Sequence, residues 1–254
     1  QKLLSGSVAI VAANKRANTQ SSDTWDNLQE TVRKRNVPFH YETNVGAGLP
    51  VINTIRNLKA GGDRVIRIEA VLSGTLNWLL SEYDGTKPFS ALVRTAKSMG
   101  YTEPDPRDDL GGTDVARKCL ILARESGIRK ELDDISVEPL MPEEAAKAAG
   151  TEEFFSALTL FDDTFLKRYR AASEAGRKLR YVALIEGNNA MVRLLDVDSS
   201  HPFFQLTGSE NCLIITTEFY SQNPMVIKGP GAGVNVTAAG LLADIVRIAE
   251  GIRI

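Results

Sequence analysis

The first sixty residues constrain the fold more than any other stretch. SVAIVAA (7–13) is a short apolar, β-branched run, which predicts a buried strand. Residues 22–35 place Trp25, Leu28 and Val32 on one helical face, behind a cap at Ser22 or Asp23. VPFHYET (37–43) is a second strand candidate. NVGAGLP follows as a glycine loop, and VINTIRNLKAGG as a helix closing on glycines. Strand, helix, strand, glycine loop, helix is the rhythm of a parallel α/β layer.

The pattern then changes. RVIRIEAVL (64–72) alternates charged and apolar residues, as a strand with one wet face does. SGTLNWLLSEY, PFSALVRTAKSMG and DVARKCLILARESG read as helices, and 142–178 as a charged helical surface layer. RYVALIEG, AMVRLLDVD and NCLIITTEFY follow as antiparallel strands joined by turn residues. MVIKGPGAGVN is a strand running into a glycine loop, and VTAAGLLADIVRIAEG is the last helix. The expectation is an α/β chain. A partial Rossmann-like nucleotide-binding segment fills 1–62, and a mixed-sheet α/β domain for substrate binding and dimerisation fills 63–228. A C-terminal loop and helix, 229–254, return to the front piece.

Composition narrows the function classes. Hydrophobic residues are 43% of the 254 and charged residues 24%, which suits a globular protein with a sizeable core. A net charge of -2 offers no basic field for a nucleic acid backbone. No apolar run reaches the roughly 18 residues of a membrane span, and the N-terminus lacks the basic start and cleavage site of a signal peptide. Two cysteines, Cys119 and Cys212, lie far apart without a CxxC partner, which favours a reduced, cytoplasmic protein. With His40 and His201 also isolated, a zinc site is not expected.

The chemistry concentrates in TEPDPRDDLGGTDVARK (102–118). Glu103, Asp105, Asp108, Asp109 and Asp114 crowd a proline-stiffened turn that feeds an apolar helix. On that helix Asp114 and Lys118 are four residues apart, about 40° around the axis. On a surface this is a salt bridge worth a few tenths of a kcal/mol. Because CLILA follows, the lysine enters a buried helix, where partners and desolvation set its charge, and there it can donate a proton. Glu103, Asp108 and Asp109 suit a cationic group, either an α-ammonium or magnesium.

Three other segments are candidates. In ETNVGAGLP (42–50), Gly46 and Gly48 allow close backbone approach, for helix packing or for a cation held by carbonyl oxygens with Glu42. KGPGAGVNVTAAG (228–240) leads a glycine-rich loop into a helix, for a phosphate or cofactor or simply for tight packing; no GK[ST] makes it a P-loop. VAANK places Lys15 at a strand's carboxyl end, where open α/β sheets bind ligands.

VAANK, ETNVGAGLP, LSGTLN, GYTEPDPRDDLGGTDVARK and KGPGAGVNVTAAG, in this order across residues 8 to about 250, resemble homoserine dehydrogenase. TNVGAGLPVI and LILARESG are most similar to the dehydrogenase portion of bifunctional aspartokinase–homoserine dehydrogenases. The resemblance implies NADPH- or NADH-dependent interconversion of L-aspartate 4-semialdehyde and L-homoserine, in threonine, methionine and isoleucine biosynthesis. By the same likeness Lys118 is the proton donor and acceptor. Glu103 and Asp114 hold the amino acid, with Gly100 giving backbone contact and Asp109 a further candidate. Lys15 and Gly233 lie at the cofactor. Glu42 and the carbonyls of Val45, Ala47 and Leu49 hold sodium or potassium, which turns the cation reading away from magnesium. A homodimer or higher homo-oligomer is implied too. The family's GxGxxG turn has no counterpart here, so its N-terminal part is expected to be missing and the fragment alone inactive. The competing expectation is a non-catalytic amino-acid-binding or assembly domain.

Overall fold

The computed structural model describes residues 1–251. Its front piece comprises α1 (Lys2–Ser5), β1 (Ile10–Val11), α2 (Ser22–Arg35), β2 (Phe39–His40) and α3 (Ile52–Ala60). β1 and β2 form a separate parallel pair, Ile10 beside Phe39 and Val11 beside His40. Both strands are shorter than their apolar runs, because β1 and β2 pair only with each other in the described structure. Ser21, rather than Ser22 or Asp23, caps α2 by accepting the Thr24 N–H at 3.4 Å. Ser22 is committed elsewhere: its hydroxyl donates to the Lys130 carbonyl at 2.9 Å.

The remainder runs through β3 (Val65–Val71), α4 (Gly74–Glu82), α5 (Phe89–Ser98), α6 (Pro106–Leu110), α7 (Thr113–Glu125), β4 (Ser136–Val137), α8 (Glu143–Ala146), α9 (Thr151–Leu158), α10 (Asp162–Glu174), β5 (Lys178–Glu186), β6 (Asn189–Val197), β7 (Glu210–Thr217), β8 (Met225–Pro230) and α11 (Val234–Ala249). Six strands form one mixed sheet in the order β4-β6-β5-β3-β7-β8, antiparallel except where β4 runs parallel to β6. Strand alternation sends Ile68, Ala70, Leu213 and Ile215 into the main core with α4, α5 and α7. The opposite face carries a smaller cluster around Val71, Val182, Cys212 and Ile214, covered by Phe203 and Leu206 of the β6–β7 connection. Arg180 holds that connection: fully buried, it donates to the carbonyls of Phe203 at 2.9 Å and Leu206 at 2.8 Å.

The charged middle segment is more than a surface layer. Phe154, Phe155, Leu158 and Phe165 are buried, and the Phe165 ring lies 4.0 Å from Phe89, centroid to centroid. Each such ring removed from water is worth about 1.5–3 kcal/mol, which charges on the outer face of α9 and α10 conceal in the sequence. No described helix is long and apolar enough to cross a membrane.

The last helix lies against the front piece. A Cβ on Gly48 would sit 2.4 Å from the Val236 carbonyl oxygen, and one on Gly240 would sit 2.7 Å from Thr43 Cγ2. Backbone therefore meets backbone at a spacing that larger residues forbid. Asp244, buried within α11, accepts the Glu42 N–H at 3.0 Å and pairs with Arg247 at 3.0 Å. Asp244→Ala would strand that N–H and is expected to cost about 1–3 kcal/mol. Urea denaturation measures the loss, and limited proteolysis should show earlier cleavage within 231–249.

Candidate functional site

The acidic segment contains a helix that its prolines hide. Asp105 caps α6 by accepting the Arg107 N–H at 3.0 Å, and Pro106 takes the first helical position. The Arg107 guanidinium returns to the same carboxylate. Asp105 is thereby spent on local structure, while Asp108 is exposed. Asp109 accepts the Glu103 N–H at 2.8 Å, closing the turn on itself. Burial lifts the Asp109 carboxyl above its usual range, and the Glu103 N–H offsets part of that. The side chain of Glu103 stays exposed.

Gly112 separates α6 from α7. Its φ of +71° and a missing Cβ that would fall 2.2 Å from Tyr181 Oη allow only glycine. The catalytic candidate helix therefore starts at Thr113, later than Asp109, yet Asp114 and Lys118 keep their shared face. Lys118 Nζ lies 2.9 Å from Asp114 Oδ2, and Lys15 Nζ lies 3.0 Å from Asp114 Oδ1. Lys118 also donates to the Leu72 carbonyl at 2.7 Å, just before Ser73 caps α4. An ammonium has three donors, so one N–H of Lys118 remains for a ligand.

The electrostatics follow from this triangle. Burial pushes the Lys118 ammonium below the usual lysine range, and Asp114 pulls it partly back. For Asp114, burial alone would raise the carboxyl, but Lys118 and Lys15 outweigh it and hold it down to about 2. Lys15 sits where β1 ends, on a short turn that Asn14 caps by accepting the Arg16 N–H at 2.7 Å. Beyond it opens a cavity of about 560 Å³, lined by residues that include Asn14, Lys15, Arg16, Asp114 and Arg117, within the roughly 300–1,000 Å³ of small-ligand sites.

The other candidates fall into separate groups. Gly100 ends the turn after α5 with φ +74°, next to Tyr101, whose carbonyl accepts the Thr75 hydroxyl at 2.7 Å. Gly233 precedes α11 with φ +126° and no side-chain cap on the helix. The loop before it is a cradle that side chains would fill: a Cβ on Gly229 would meet Leu49 Cδ2 at 2.9 Å, and one on Gly231 would meet Asn211 Cγ at 1.8 Å. Free N–H groups at that helix start, with a buried unpaired amide beneath the loop, fit a phosphorylated cofactor. Glu42 caps α3, its carboxylate accepting the Ile52 and Asn53 N–H groups at 2.7 and 3.0 Å. Burial raises its carboxyl, and those N–H groups counteract. Val45 and Ala47 are buried, and their carbonyls accept no hydrogen bond among the described residues. The Leu49 carbonyl accepts the Val51 N–H at 2.9 Å. The unpaired carbonyls are of the oxygen type a hard cation takes, while both Glu42 oxygens are engaged by the α3 N–H groups.

Sequence reasoning missed the Leu72 carbonyl, Thr75, Asn211 and Asp244. A backbone acceptor leaves no residue-type signal. Only LSGTLN, quoted as a motif, pointed near Leu72 and Thr75.

The homoserine dehydrogenase family matches residues 50–246. The chain is 44% identical over 245 residues to bifunctional aspartokinase/homoserine dehydrogenase 2, chloroplastic, from Zea mays, covering 96% of the chain and 27% of that protein. It therefore spans about a quarter of the length of such bifunctional relatives. It is 40% identical over 260 residues to homoserine dehydrogenase from Schizosaccharomyces pombe, covering 99% of the chain and 69% of that protein. Among solved structures, a Candida auris protein of unknown function superposes with a TM-score of 0.94 at 39% identity, covering 99% of this chain and 72% of that one. A hyperthermophilic archaeal homoserine dehydrogenase in complex with NADPH shares the fold, with a TM-score of 0.75 at 24% identity over 98% of this chain and 66% of that one.

The depressed Asp114 carboxyl makes stability depend on acid. Unfolded, the group titrates at about 3.9; folded, at about 2. Its stabilising contribution is complete above the unfolded value and is lost as pH falls through the folded one. Asp114→Asn is therefore expected to flatten the fall of the thermal midpoint between about pH 4 and 2, as followed by circular dichroism.

Proposed function

The chain belongs to the homoserine dehydrogenase family, and from that premise we propose that it interconverts L-homoserine and L-aspartate 4-semialdehyde with NADP or NAD. The observation that carries this is the Lys118 ammonium: on a side chain only 13% exposed, fixed by Leu72 and Asp114, with one N–H unspent among the described residues. A domain that only binds an amino acid has no need of a proton donor so placed.

A bound nicotinamide supplies or accepts the hydride at the carbon that carries the oxygen. In the reducing direction the carbonyl's π pair moves onto oxygen. Lys118 stabilises that developing charge and passes its proton to the oxygen, becoming a neutral amine that solvent reprotonates. In the oxidising direction the neutral amine accepts the hydroxyl proton. Asp114 keeps two ammonium groups close and offsets much of their mutual repulsion, which suits a positioning role beside any contact with substrate. Glu103, with its free carboxylate, and Asp109 hold the substrate ammonium, and the backbone at Gly100 lies alongside. Lys15 bridges the cofactor and substrate sides, and Gly233 opens the helix that faces the cofactor.

The same reading places sodium or potassium against Glu42 and the carbonyls of Val45, Ala47 and Leu49, where it would brace the loop under α11. It divides the chain at 62/63 and 228/229 into nucleotide-binding, substrate and returning segments. It makes the protein a homodimer or higher homo-oligomer, supported by exposed Ile66 and Val226 on the sheet; a cytoplasmic location is supported only by the two free, separate cysteines.

Lys118→Ala is expected to lower kcat for homoserine oxidation by roughly 10²–10⁴-fold while the fold persists; undiminished turnover would sink the assignment. Oxidation needs neutral Lys118, so its rate should rise with pH through the lysine's folded value. Asp114 raises that value, so Asp114→Asn should move the limb of the kcat–pH profile to lower pH.

A further inference from the structure

Asn211, the second residue of β7, is 0% exposed, yet neither its Oδ1 nor its Nδ2 has a hydrogen-bond partner among the described residues. Leaving a buried amide unpaired costs about 1–3 kcal/mol. The next two residues on the same face, Leu213 and Ile215, enter the main core. An apolar side chain would continue that row without penalty, so the fold itself gives no reason for an amide.

Its position supplies one. β3 and β7 pair Val71 with Cys212. One step further the register sets Leu72, whose carbonyl holds Lys118, level with Asn211. On the other side Asn211 pairs with Gly229 of β8. The chain beyond then folds back so closely that a Cβ on Gly231 would fall 1.9 Å from Nδ2 and 2.4 Å from Oδ1. The amide lies against the glycine loop and next to the backbone that holds the proton donor.

We propose that Asn211 is a positioning residue for the 229–233 loop: with the nicotinamide cofactor bound, its amide pairs with backbone groups of that loop and fixes the loop relative to Leu72 and Lys118. The inference rests on the cofactor-binding reading above. A primary amide offers both donors and an acceptor, complementary to the N–H and C=O groups of Gly231 and Ala232. Glycine at 231 permits the approach. Because the pairing forms in the cofactor-bound arrangement, it strengthens cofactor binding and adds little to the stability of the unbound protein.

Asn211→Leu separates these effects. Removing an unpaired buried amide should leave the thermal midpoint unchanged or raised. The Kd for NADPH, read by quenching of tryptophan fluorescence, should rise about 3- to 10-fold, the scale of one or two net hydrogen bonds. The KM for homoserine should stay within about 2-fold, since the group acts on the loop side of the site. If the leucine variant does not fold, Asn211→Ala carries the same expectation for NADPH against homoserine. Wild-type NADPH affinity in the folded variant overturns the inference, as does an equal loss for both ligands. These measurements are made on the full-length protein that carries this chain; if that wild-type protein binds no NADPH, the cofactor reading and this inference fall together, an outcome distinct from the first.

Discussion

A single carboxylate, Asp114, joins two ammonium groups that would otherwise repel each other. At about 3 Å on each side it draws Lys15 from the end of β1 and Lys118 from within α7. Lys118 in turn reaches the end of β3 through the Leu72 carbonyl. Front layer, central helix and mixed sheet therefore meet at one point, and the fold can be understood as the frame that keeps it. Burial makes the arrangement consequential: in water the same pairs would contribute little, whereas beside a core each charge is set by its neighbours.

The frame is rigid because α7 is tied at its far end too. Glu125 closes the helix in contact with the Tyr41 hydroxyl and, through two hydrogen bonds at 2.9 and 3.2 Å, with Arg56 of α3. α3 is itself capped by Glu42, whose N–H is held by Asp244 of α11. A run of polar contacts thus links the last helix, the loop at 42–49 and the helix that carries Lys118. Burial raises the Tyr41 hydroxyl's pKa, and Glu125 reinforces this, so Tyr41 stays a neutral donor within the run. Each group in the run is paired, as low-dielectric surroundings require.

What the sequence disclosed and what it hid divide along physical lines. The i,i+4 pair of Asp114 and Lys118 was legible because helical geometry turns spacing into contact. The partnership of Lys15 with Asp114 was not, since two residues far apart in the chain carry no local mark of meeting. Alternation and turn residues gave the strands of the mixed sheet, but the short β1 and β2 depended on which neighbours pair with them. Prolines at 104 and 106 suggested only a turn, although Asp105 before Pro106 is the cap-and-first-residue pattern of a helix. Charges along 142–178 masked the buried phenylalanines. The candidate site was legible as residue types; its Leu72 carbonyl and Asn211 amide were not, because a backbone acceptor has no residue-type signal and an asparagine near a strand's start reads as a turn residue.

Gly112 has a consequence for how such a protein can change over time. Its lack of a side chain lets α7 begin against Tyr181 of the sheet, while its own N–H, donated to the Asp109 carbonyl at 3.1 Å, keeps the acidic turn attached. The turn and the helix are thereby joined at a single residue that tolerates no side chain. Asp109 of the turn also acts on the Lys118 charge, so the two segments share an electrostatic neighbourhood as well as a backbone. Any side chain at this position would have to displace Tyr181, and the shift would reach the turn and the lysine's helix together.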